Sequence, residues 1–222
     1  MAIQFEHAGD LPAPVRAAIA EMEKAIARQD WTLFSTKKLE ILKVFLRVAA
    51  AQGYAAVTMR GLGAELNLKA PSIYSHFPGG KEEIIAHSLR WQGALFGHAM
   101  LEATKDAQDV RGFLDALVRG HCGMNLQNRE NNLWDMIVAA DRVGRFLPEE
   151  LRSEMTDWLR ICTRLYSSAG EALGVAEAGL KARQMMVMID GVHSWADWDG
   201  SDAQRAAILD QAAAFCRTMM IP

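Results

Sequence analysis

Hydrophobic positions recur every three to four residues along most of the chain. No stretch alternates with period two among β-branched residues, so the pattern predicts an all-α protein. A first helix is expected over residues 14–30, with Val15, Ile19, Met22 and Ile26 on one face. Pro12 and Pro14 mark its start, because a proline in the first turn loses no hydrogen bond. A second helix, 36–52, turns Leu39, Leu42, Phe45, Leu46 and Ala49 to one side and ends where Gly53 suits a C-cap. Two short helices, 58–66 and 70–76, are joined by Asn67-Leu68-Lys69. Pro78-Gly79-Gly80 then interrupts the pattern, and further helices are expected over 81–101, 110–126, 131–141, 148–172, 176–197 and 201–220. Ser201 and Gln204 are spaced as a reciprocal capping box.

Composition narrows the class. Half of the 222 residues are hydrophobic, enough for a packed core, and no apolar run approaches the ~20 residues of a membrane span. The N-terminus carries no Lys or Arg before Arg16 and does not read as a signal peptide. Cys122, Cys162 and Cys216 are odd in number and widely spaced, which indicates neither a disulfide framework nor a metal site and fits a cytoplasmic protein. Net charge is −3, but residues 36–90 hold eight basic and four acidic side chains, a local +4 that leaves −7 on the remainder. A basic module on an acidic body suits a protein that meets a polyanion with one end. No nucleophile elbow, phosphate loop or catalytic carboxylate pair is present, so neither enzyme activity nor a cofactor is expected.

The stretch 58–77 carries the most specific signal. Two helices of about two turns, joined by three residues, give helix-turn-helix geometry. Leu62 and Leu66 share one face, as do Ile73 and Phe77, and these four are expected to bury against Phe45, Ala49 and Ile84. Ala70, Pro71, Ser72, Tyr74 and Ser75 remain on the outer side of the second helix, small or polar as entry into a major groove requires. Singly, Tyr74 or Phe77 reads as a core aromatic, His76 as a structural histidine and Arg60 as a solvated charge. In this order and spacing they read as a DNA-binding element.

The ordered set resembles the DNA-binding region of the TetR (Tet-repressor) family. That family shows a Thr opening its second helix, a Leu/Ile-Tyr-x-His-Phe run on its recognition helix and a Lys starting the fourth. Here these are matched by Thr58, by Ser72-Ile73-Tyr74-Ser75-His76-Phe77 and by Lys81. Phe45 and Gln52-Gly53-Tyr54 are similar to the end of the family's first helix, whereas Gly79-Gly80 makes the following turn one residue longer than the commonest form. The resemblance implies phosphate contacts at Thr58, Tyr74, His76 and Lys81, all competent donors. It implies base reading at Arg60, Ala70, Pro71, Ser72 and Ser75, with Lys69 adding a phosphate or base contact.

The resemblance also implies that residues 91–222 bind a small inducer and build a homodimer, with 35–90 as the DNA-binding domain and 1–34 as a helical extension. Three bases against five acids favour packing as the role of that extension over DNA contact. In the last two helices, Leu180, Met185, Met186, Ile189, Val192, Trp195 and Trp198, with Leu209, Ala213, Cys216 and Met220, are candidates for the dimer contact, though the same residues also fit a subunit core. His121, Asn125, Trp134, Trp158, Cys162, Tyr166 and His193 are candidates for a pocket taking a mostly apolar or aromatic ligand, with ordinary core packing as the alternative. The expected function is a ligand-responsive repressor of a pseudo-palindromic operator. The rival readings are a lipid- or quinone-binding protein of the same architecture without DNA binding, and an all-α enzyme with an incidental helix pair.

Overall fold

The computed structural model describes residues 9–127 and 132–220; Asn131, the expected first residue of one helix, lies outside them. The described residues form helices and no strand: α1 (Ala13–Ile26), α2 (Thr36–Gln52), α3 (Met59–Glu65), α4 (Ala70–His76), α5 (Gly80–Thr104), α6 (Val110–Gln127), α7 (Asn132–Gly144), α8 (Glu149–Ala172), α9 (Ala178–Asp190), α10 (Val192–Trp195) and α11 (Asp202–Met220). No helix among the described residues is long and apolar enough to cross a membrane. The chain separates into two compact units, one of residues 29–94 and 132–155, here the head, and one of 9–28, 95–127 and 156–220, here the body. The head thus takes in α7, and its boundary falls within α5.

Local chemistry starts the head helices where the sequence places them. Ser35 Oγ accepts the Lys38 amide at 3.2 Å and caps α2, and Thr58 Oγ1 accepts the Gly61 amide at 3.0 Å and caps α3. The turn from α3 to α4 is a Schellman motif. Asn67 adopts a left-handed conformation (φ 53°), Leu68 N donates to Gly63 O at 2.8 Å and Asn67 N to Ala64 O at 3.3 Å. The Leu68 carbonyl approaches to 2.6 Å of where a Cβ on residue 63 would sit, so only glycine fits there. Leu62, Leu66, Ile73 and Phe77 are buried, as are Phe45, Ala49 and Ile84.

A buried ion pair joins α7 to the start of α8 within the head. Asp141 accepts from Arg152 Nε at 2.7 Å and from the Leu147 amide at 2.7 Å, and its carboxylate is almost wholly buried. The Arg152 guanidinium, followed by the backbone amides, holds its pKa below the ordinary 3.8. A depressed carboxylate contributes stability that is complete above its unfolded pKa and is lost as pH falls through the folded one. Asp141→Asn is therefore expected to cost about 1–3 kcal/mol at neutral pH. The gap in urea midpoint from the parent protein should close below about pH 4. A gap independent of pH would contradict the role given to the pair.

In the body, the N-terminal helix is a packed element. Val15, Ala18, Ile19, Met22 and Ile26 form its buried face, Arg160 reaches Glu21 at 2.6 Å, and Arg28 meets Asp157 at 3.2 Å. A Cβ at Gly97 of α5 would lie 2.9 Å from Ile26 and from Met22, so α1 rests on the bare backbone of α5. Gly97→Val would gain at most about 1 kcal/mol of helix propensity. Overpacking costs about 1–3 kcal/mol. A net fall in urea midpoint is expected, and an unchanged or higher midpoint would contradict this docking.

The body departs from the hydrophobic pattern in two places. The expected continuous helix over 176–197 breaks at Gly191 (φ −81°, ψ 15°), where α9 ends. The break removes the helical donor to Met188 O, and Trp195 Nε1 replaces it at 2.8 Å. At α11, Ser201 Oγ accepts the Gln204 amide as expected, but the reciprocal bond is not made. Asp199 takes the Ser201 amide at 2.8 Å instead, and Gln204 Oε1 accepts from Asp199 N.

Candidate functional site

The outer side of α4 is open. Pro71, Ser72, Tyr74 and Ser75 are exposed, Ala70 and His76 are half-buried, and Ser75 Oγ donates to Ser72 O at 2.7 Å. Tyr74 is 46 % exposed, and its ring lies over Gly80, where a Cβ would stand 3.2 Å from ring Cε1. Gly80 has φ +66°, so the longer Pro78-Gly79-Gly80 turn passes beneath the ring where a side chain would not fit. Glu83 accepts the Gly79 amide at 2.7 Å and fixes that turn to the first turn of α5. Thr58 caps α3 as an acceptor, so its own hydroxyl proton is available to a phosphate.

Charge pairing leaves this side positive. Glu40 pairs with Lys37 at 2.8 Å and Glu65 with Arg47 at 3.1 Å. Arg60 and Lys69, both exposed at the edges of the helix pair, have no ion-pair partner among the described residues. Lys81 differs. Its ammonium donates to Tyr54 O at 2.6 Å and stands 4.1 Å from the Tyr54 ring centroid, and burial lowers its pKa. It is a fixed charge at the start of α5 with protons left to share, rather than a mobile arm.

In the body, the candidate ligand residues sort into two groups. His121, Asn125, Tyr166 and His193 converge with Asp190, which the hydrophobic pattern missed. His121 Nε2 lies 2.9 Å from Asp190 Oδ1, and His121 Nδ1 lies 2.8 Å from the Tyr166 hydroxyl. Asn125 Nδ2 donates to the same Asp190 oxygen at 3.4 Å, and His193 Nε2 lies 2.7 Å from Asn125 O. Burial pushes the Tyr166 phenol well above its ordinary range, so it keeps its proton, and its hydroxyl also lies 3.5 Å from Leu117 O. Cys162 and Trp158 follow the same row of α8 one and two turns before Tyr166. Trp134 is buried on α7, in the head. The signal for Asp190 is that it is the sole acid in the apolar run 185–192.

Of the dimer candidates, Met185, Ile189, Val192, Leu209, Ala213 and Cys216 are at most 8 % exposed within one chain, where they pack in its core. Trp195 is half-buried and committed to Met188 O. Burial pushes the Cys122 and Cys216 thiols to about 11 and about 12, which makes them inert packing groups. The outward rows of the same helices carry Leu180, Val187 (73 % exposed) and Phe215.

Residues 41–87 match the family model described as bacterial regulatory proteins, tetR family. The sequence matches no functionally curated protein at a significant level. Among solved structures, the chain is similar to a bacterial regulatory protein in the tetR family from Rhodococcus RHA1, with TM-score 0.73, 18 % identity, and 85 % of this chain and 98 % of that one covered. It is also similar to AibR in complex with isovaleryl coenzyme A and operator DNA, with TM-score 0.69, 16 % identity, and 83 % and 98 % covered. A protein from Saccharomonospora viridis, solved in complex with choline, aligns with TM-score 0.69, 19 % identity, and 85 % and 100 % covered. The matched segment holds the capped, Schellman-turned helix pair with its open outer row, so residues 41–87 are similar to the bacterial regulatory proteins of the tetR family and the chain shares the fold of the solved structures.

Proposed function

We propose that this regulator is a cytoplasmic, ligand-responsive repressor that binds a pseudo-palindromic operator as a homodimer. Residues 35–90 contact DNA, residues 91–222 bind ligand and dimerise, and residues 1–34 form a helical extension. The observation that carries the reading is the outer row of α4. It is exposed and uncharged, and Arg60 and Lys69 stand uncompensated beside it within the family-matched segment. Thr58, Tyr74, His76 and Lys81 supply phosphate contacts, and Arg60, Lys69, Ala70, Pro71, Ser72 and Ser75 face the bases.

The apolar outward rows at Leu180, Val187 and Phe215 support dimerisation through α9 and α11. Structures of this fold with isovaleryl coenzyme A and with choline support a small ligand in the body. The element that carries the response is α5, which starts at Gly80 beneath the Tyr74 ring and continues to Thr104. Ligand releases DNA only to the extent that it prefers the conformation with misplaced heads.

Selection from a random duplex pool, followed by light scattering of the complex, tests the reading. The expected product is a pseudo-palindrome with half-sites about one helical turn or a multiple apart, holding two chains or a multiple of two. Failure to enrich any sequence, or a single chain on a lone half-site, would contradict it.

A further inference from the structure

Lys81 is held by a segment that is itself lightly held. Its ammonium donates to Tyr54 O at 2.6 Å, and Ala55 O lies 3.5 Å away. Of residues 53–56 only Tyr54 is not exposed, so its side chain is the one anchor within that segment. Two aromatic rings pack on it. Phe45 of α2 meets it edge-on at 6.3 Å, and Phe146 stacks on it with centroids 4.7 Å apart and planes 19° from parallel. The Lys81 ammonium, 4.1 Å from the centroid of the Tyr54 ring, is attracted to that ring as well as to the carbonyl. A shift of Tyr54 therefore moves both features that hold the ammonium.

Phe146 has a fixed place of its own. It lies in the corner between α7 and α8, just beyond Gly144. Before it, Arg145 takes a left-handed conformation (φ 47°) and its amide donates to Asp141 O at 2.8 Å. After it, buried Leu147 donates its amide to Asp141 Oδ1 at 2.7 Å and accepts Arg152 Nη2 on its carbonyl at 2.8 Å. The backbone on both sides of Phe146 is thus tied to Asp141 and its ion pair with Arg152. A Cβ at residue 144 would stand 3.3 Å from ring Cδ1 of Phe146, so the glycine leaves the ring its room.

We infer that Phe146 is a positioning residue for DNA binding: from the α7–α8 corner, 65 residues away in the chain, it holds the Tyr54 ring and through it sets where the Lys81 ammonium meets a phosphate. This rests on the reading that Lys81 contacts the DNA backbone. A lysine head is a point charge on a flexible stem, so ordering it costs entropy when the phosphate arrives unless the protein has already ordered it. Bound to the carbonyl, the ammonium keeps protons for the phosphate. Without the Phe146 ring the segment loosens and that cost returns. No base is involved, so the loss is the same on every sequence.

Anisotropy titrations across a salt series, on the selected operator and on a random duplex, compare the parent chain with Phe146→Leu, Phe146→Tyr, Lys81→Gln and the Phe146→Leu/Lys81→Gln double variant. Lys81→Gln should lower the slope of log affinity against log salt by about one per bound chain. Phe146→Leu should weaken both duplexes about threefold to tenfold, and Phe146→Tyr, which keeps the stacked ring, should bind as the parent does. In the Lys81→Gln background Phe146→Leu should cost nothing further, because the contact it serves is gone. A merely structural role predicts the same loss in both backgrounds. Parent-like binding by Phe146→Leu, or an equal loss with and without Lys81, would overturn the inference and leave the phosphate contact standing. Unchanged affinity and slope in Lys81→Gln would remove the phosphate contact, and the inference with it.

Discussion

Arg60→Ala is expected to cost about 1–3 kcal/mol of operator affinity and to relax specificity at one base position per half-site. Arg60 sits on α3 with no carboxylate holding it, so binding DNA breaks no existing ion pair. Tyr74→Ala should weaken operator and random duplexes alike, because it removes a phosphate donor and also the ring that covers Gly80. Tyr74→Phe separates these parts, since it keeps the ring and loses only the hydroxyl. Anisotropy titrations on the selected operator and on single-base variants provide the measurement. If Arg60→Ala binds every variant as the parent does, Arg60 does not read a base.

Phe77→Ala is expected to cost about 3–5 kcal/mol, because it leaves a cavity under the end of the recognition helix. Phe77 is completely buried, with the Lys38 ammonium 5.4 Å from its ring centroid and the His87 ring 6.1 Å away. Such a loss is a large share of the roughly 5–15 kcal/mol of a whole protein. Since the chain divides into two units, the effect should concentrate in the head, and amide hydrogen exchange along α2 to α5 should rise while α6 and α11 stay protected. Equal loss of protection in both units would show that they unfold as one. Unchanged protection in the head would contradict the burial itself.

The head was legible because its signals are local. Thr58 caps the helix it precedes, Asn67 takes the left-handed turn it favours, and Leu62, Leu66, Ile73 and Phe77 repeat at a helical spacing that a few residues reveal. The body was less legible because its chemistry joins distant positions. Asp190 meets His121 and Asn125 across 69 and 65 residues, and its one signal, a lone acid in an apolar run, does not name these partners. Trp134 shares composition with the body but packs in the head. The buried and outward rows of α9 are both apolar, so periodicity could not tell Met185 and Ile189 from Leu180 and Val187. Gly191 ends that helix and a tryptophan four residues later takes the freed carbonyl, a contact that spacing alone does not encode.

The central claim is that the open face of α3 and α4 grips DNA through phosphates and reads a sequence. Anisotropy across a salt series, with the selected operator beside a random duplex, measures both parts at once. The account predicts steep weakening with salt on both duplexes, and an operator preference of about a thousandfold or more. Equal, weak binding to the two duplexes, unchanged by salt, would contradict it.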